Sequence, residues 1–140
     1  MISFNVFKNG KLLSSDTSKD FIKTNQNKVL FILHGLYGRG KNWHTFAKKY
    51  SSDRDQLVIT ANLRNHGGNE FKKEQSYLLM AEDIMEIINY LGVSKVDLLG
   101  HSMGGKLAMV ITMLDRSYID KVVVADIAPV NYSEDNENII

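Results

Sequence analysis

Gly100-His101-Ser102-Met103-Gly104 places one serine between two glycines, each two residues away. A serine hydroxyl becomes a nucleophile toward a carbonyl carbon when it is held in place and a neighbouring base takes its proton. A strained strand-to-helix turn does the holding: it lifts the hydroxyl above the sheet, and the flanking glycines give the crowded backbone room. The same turn aims a helix N-terminus at the hydroxyl, where the helix dipole favours negative charge. At about 7% usage for Gly and Ser, such a match arises by chance in roughly one chain of this length in twenty, so the flanking elements decide. They agree. Lys95 to Leu99 reads as a buried strand, and Met103 to Leu114 as a nearly all-apolar and therefore buried helix.

A second run bears on the same chemistry. Attack by serine creates an oxyanion, which two converging backbone N–H groups must hold. Met103, the residue after the serine, is placed to give one. Leu36, in the glycine-rich run His34-Gly35-Leu36-Tyr37-Gly38 after an earlier strand, is placed to give the other. His34 reads as a structural histidine that fixes this loop. His101 flanks the turn, with its ring expected to point away from the Ser102 hydroxyl. His66 reads as a structural member of a loop, and His44 as a solvated residue on the polar side of a helix. These four histidines all precede Ser102, they lack metal-ligand spacing, and there is no cysteine, so no metal site is expected and no cofactor is required.

The elements that must position these residues follow from hydrophobic period and turn chemistry. Ile2, Phe4 and Val6 alternate with Ser3 and Asn5 as in a half-buried strand, and Asn9-Gly10 signals a hairpin. The polar stretch from Ser14 to Lys28 reads as a loop or a ragged second strand. Lys28 to Leu33 (KVLFIL) reads as a strand covered on both faces. Trp43, Phe46, Ala47 and Tyr50 fall at helical spacing. Gln56 to Thr60 is the next strand, followed by a loop from Asn62 to Glu74. Ser76 to Leu91 is helical, with Ala81, Ile84, Ile88 and Leu91 on one face and Glu82, Asp83 and Glu86 mostly off it; Gly92 then ends it. Lys121 to Ala125 is a further strand before a polar tail from Asn131 to Asn138. Alternating strands and helices predict an α/β fold with a mostly parallel sheet flanked by helices, in one domain spanning residues 1–140.

Composition narrows the partners. A net charge of +1 supplies no strong field to recruit nucleic acid or an anionic membrane. No segment approaches the roughly 18 apolar residues of a membrane span, and no signal or transit pattern opens the chain, so the expectation is a cytoplasmic protein. A nucleotide-binding alternative exists, because Gly35 to Lys41 (GLYGRGK) satisfies G-x-x-x-x-G-K and Asp126 follows an apolar strand. It lacks the magnesium-binding hydroxyl, since position 42 is Asn. A non-catalytic binding protein on the same fold is the other alternative.

Five ordered runs carry a resemblance: His34 to Gly38, Leu63-Arg64-Asn65-His66-Gly67, Met80-Ala81-Glu82-Asp83-Ile84, Gly100 to Lys106, and Asp126-Ile127-Ala128-Pro129-Val130. Together they resemble the α/β-hydrolase family, most closely the small esterase branch of bacterial YbfF-type acyl esterases and eukaryotic abhydrolase-domain proteins. The resemblance implies a serine esterase or thioesterase acting on small acyl substrates. Ser102 would attack, Leu36 and Met103 would form the oxyanion hole, and Asp126 would be the triad acid. His34, Gly35, Gly100, His101 and Gly104 would support elbow and loop. Dehalogenases and epoxide hydrolases of this fold use an aspartate at the elbow, so Ser102 argues against them. Asn62 and Asn69 depart from the usual Asp and Ser, which bears on loop geometry. Triad order implies a histidine after Asp126, where this chain has none. The resemblance therefore implies an incomplete domain, lacking cap and later core, that is inactive by itself. It also leaves Val122, Val123 and Val124 on an open sheet edge.

Overall fold

Val29–Leu33 (β3) consists of β-branched, aromatic and leucine side chains, and every one of them is buried. Such a strand needs cover on both faces, and the flanking sequence supplies it. The computed structural model describes residues 1–14, 22 and 29–130. β3 pairs in parallel with Leu57–Ala61 (β4) on one side and with Val96–His101 (β5) on the other. Ile119–Ala125 (β6) continues the parallel run beyond β5. On the far side Phe4–Lys8 (β1) joins β4 antiparallel, and Lys11–Leu12 (β2) folds back on β1. The six-stranded order is β2-β1-β4-β3-β5-β6. The β1–β2 turn has Asn9 and Gly10 both at positive φ, 49° and 74°, as the Asn-Gly pair requires.

Alternate residues of β3 face two cores. Val29, Phe31 and Leu33 pack with Tyr77–Leu91 (α2) and Met103–Leu114 (α3); Leu30 and Ile32 pack with Phe7, Val58 and Ala47 of His44–Asp53 (α1). Ser76 caps α2 by accepting the Leu79 N–H at 3.2 Å, and Gly92 ends it in the left-handed region at φ 67°. Among the described residues no helix is long and apolar enough to cross a membrane.

Four expectations need correction. Asp83 is not off the buried face of α2: it is 5% exposed, paired with Arg64. The helix α3 is not buried all round, because Met113 and Leu114 at its end are 83% and 54% exposed. On α1 only Ala47 and Ser51 are buried, while Phe46 is exposed. His44 is not a solvated residue; its ring packs edge-on against Phe7 at 4.9 Å, and burial, with the positive field of Lys48 and Lys41, holds its pKa below the usual value. Most of the stretch from Ser14 to Lys28, and the tail from Asn131, lie outside the described residues. At the sheet edge Val122 and Val123 are exposed and Val124 is half-buried.

Candidate active site

β5 runs directly into α3 through Ser102, which sits at φ 52°, ψ −119°. A non-glycine residue pays steric strain there, and the surroundings hold it in place. The Ser102 N–H donates to Ala125 O at 2.9 Å, tying the turn to the end of β6, and Ser102 O accepts from Gly105 N at 2.8 Å. Two glycines let the turn close. A Cβ on Gly100 would stand 2.2 Å from Gly104 O, and one on Gly104 would stand 2.1 Å from Leu33 O. Met103 is the first residue of α3, in the turn whose N–H groups have no partner within a helix.

The loop after β3 runs against this turn. A Cβ on Gly35 would lie 3.0 Å from His101 Nδ1 and 3.3 Å from Ser102 Cβ. His34 is 1% exposed; its Nδ1–H donates to Gly35 O at 2.8 Å, and its Nε2 accepts the Leu63 N–H at 3.0 Å. Burial pushes its pKa down to about 4, opposed by the bond to Gly35 O and aided by nearby His66. His34 is therefore a neutral ring engaged at both nitrogens. Leu36 is half-buried and borders an open cleft of about 650 Å³, shared with Asn42, Trp43, Phe46, Lys49 and His101.

Asp126 follows β6 at φ 60°, brought level with the turn by the Ser102–Ala125 bond. One of its carboxylate oxygens lies 3.6 Å from His101 Nε2, and its side chain is 83% exposed. Thus Ser102, Gly35, His101 and Asp126 gather at the C-terminal end of the parallel strands, where open α/β sheets build their sites.

Behind them stands the loop from residue 62 to residue 69. Asn62 Nδ2 donates to Ser3 Oγ at 2.8 Å, as an aspartate could not, and Asn62 Oδ1 accepts the Gly40 N–H at 2.8 Å. Asn69 Oδ1 accepts the Ser3 N–H, and Asn69 Nδ2 donates to Asn62 O and Leu63 O. Both departures from the expected residues thus hold the loop to the N-terminal strand region. Arg64 is forked onto Asp83 through Nε (2.8 Å) and a terminal nitrogen (2.9 Å), both side chains being buried. Asn42, at the decisive position of the nucleotide-binding alternative, accepts the Arg39 N–H at 2.8 Å and serves the local turn.

Residues 28–139 match the sequence model of the alpha/beta hydrolase fold. The chain belongs to the α/β-hydrolase family. Esterase YbfF of Escherichia coli strain K12 is 36% identical over 106 residues, covering 76% of this chain and 41% of that protein. The mouse sn-1-specific diacylglycerol lipase ABHD11 is 36% identical over 102 residues, covering 73% and 33% respectively. A solved marine microorganism esterase superposes over 99% of this α/β hydrolase and 46% of its own length, with a TM-score of 0.80 and 35% identity. The chain spans less than half the length of each of these relatives. Family membership favours the hydrolase reading over the nucleotide-binding alternative.

Proposed function

We propose that this α/β hydrolase acts on acyl esters or thioesters, with Ser102 as nucleophile. The observation that carries the reading is Ser102 held at φ 52° between two glycines that admit no Cβ. Strain of this kind persists where the surrounding structure over-determines it and function uses it. Esterase YbfF and the marine esterase support the substrate class by their names.

In this reading Ser102 Oγ bonds to the substrate carbonyl carbon while its proton passes to an imidazole. The Leu36 and Met103 amides hold the oxyanion; Gly35 leaves space beside the hydroxyl, and Gly100 and Gly104 let the turn close. The carbonyl re-forms as the alcohol or thiol departs with that proton, leaving an acyl-serine for water to cleave. Asp126 orients the imidazole and stabilises its protonated form. That imidazole comes from outside the 140 residues, which make up part of one domain; the exposed Asp126 carboxylate is open to it. The protein works in water on small acyl substrates, in the cytoplasm, with neither metal nor nucleic acid.

In a form of the protein that turns over p-nitrophenyl esters, Ser102→Ala should lower kcat by about 10⁶, by analogy with protease triads. Asp126→Asn should cost several orders of magnitude, and His101→Gln little. Retained turnover in Ser102→Ala would overturn the reading. A large loss in His101→Gln would make the His101–Asp126 pair the working base instead.

A further inference from the structure

Two histidines brace the loop that carries Leu36, and they do so reciprocally. His34 belongs to the loop and accepts the N–H of Leu63. His66 belongs to the segment behind it and accepts the Tyr37 N–H at Nε2, 3.3 Å away. Each ring is locked by its other nitrogen: Nδ1–H of His34 donates to Gly35 O and Nδ1–H of His66 to Arg64 O, both at 2.8 Å. The rings meet edge-on at 5.2 Å. Tyr37 is itself in the left-handed region at φ 59°, a conformation that needs an external restraint in a residue of this size.

We propose that His66 is a positioning residue for the oxyanion hole: its Nε2 fixes the Tyr37 peptide and thereby the direction of the Leu36 amide beside it. The proposal rests on the reading of Leu36 as an oxyanion donor. The segment that carries His66 is well founded, since Arg64 is forked onto buried Asp83 and Asn69 binds Leu63 O. The brace is thus anchored at its base, and His66 Nε2 is the atom through which it holds the Tyr37 N–H. A donor misplaced by about 1 Å can cost 10²-fold in rate, so the acceptor matters even though it never touches substrate.

Three variants separate acceptor from packing. His66→Phe keeps an aromatic ring against His34 and loses the acceptor; His66→Gln can bring an oxygen to the place of Nε2; His66→Ala loses both. Amide hydrogen exchange at Tyr37 should speed up several-fold in the Phe and Ala variants and stay near the parent rate in Gln. In the form that hydrolyses esters, kcat should fall about tenfold in Phe with KM unchanged and largely recover in Gln. Should the variants fail to fold, the unmutated protein still decides. Its imidazole ¹⁵N spectrum should show His66 protonated at Nδ1 and bare at Nε2, and the opposite tautomer overturns the brace. So does a Phe variant with parental Tyr37 exchange and kcat, or a folded Gln variant as impaired as Phe. Exchange and tautomer do not depend on Ser102, so their failure is distinct from failure of the nucleophile reading.

Discussion

Acidification should weaken this fold through His34. The ring is 1% exposed and its pKa is pushed down to about 4 from 6.5, mainly by burial. The fold therefore favours the neutral ring, whose Nε2 must accept from Leu63. That preference is fully present above pH 6.5 and is lost as pH falls toward about 4. At 1.36 kcal/mol per pH unit the full effect is about 3 kcal/mol, of which about 2 kcal/mol is gone by pH 5. Against a typical total stability of roughly 5–15 kcal/mol, this is a large share. His44 shifts in the same direction, so the comparison needs a variant. His34→Gln removes the titration and retains an oxygen that can accept from Leu63. Urea unfolding followed by fluorescence of the single tryptophan, Trp43, at pH 7.5 and pH 5 should show the parent losing about 2 kcal/mol more than the variant. In parallel, the His34 ring signals in a proton NMR titration should stay flat from pH 8 to pH 5. An inflection between pH 6 and 7, or equal losses in parent and variant, would show that the fold does not favour the neutral His34 ring.

Gly104→Ala should destroy the turn, because its Cβ would meet backbone oxygen of Leu33 at 2.1 Å with no flexible side chain to yield. Little folded protein by circular dichroism, or a displaced α3 with no Ser102 reactivity, is the expected result. Asp83→Asn should cost about 3–5 kcal/mol in denaturant unfolding, because it leaves the buried Arg64 charge unmatched.

Period and turn chemistry made the sheet legible in the sequence. The all-apolar β3 run, the Asn9-Gly10 hairpin and the helix end at Gly92 each follow from a local rule. Pairings between distant residues were not legible in the same way. Arg64 meets Asp83 across 19 residues of sequence, and no periodicity announces a charge pair. A signal was present nevertheless: Asp83 lies three residues after Met80 and four before Ile87, both buried, which puts it on the apolar face. The elbow residues could be picked out because glycine spacing encodes their crowding. The His101–Asp126 approach could not, because it depends on how β5 and β6 end side by side. The helical spacing of Trp43 and Phe46 marked one side of a helix; Trp43 packs against the core, and both rings also line the cleft beside the turn with Leu36. Helical period locates one side of a helix and does not say what that side faces.

Covalent labelling tests most directly whether Ser102 is the nucleophile. A form of the protein that hydrolyses esters would be treated with a fluorophosphonate probe, digested, and the modified residue mapped by mass spectrometry. One labelled serine, Ser102, is expected, with labelling abolished in Ser102→Ala and retained in His101→Gln. Labelling at another serine, or persistence in Ser102→Ala, would contradict it.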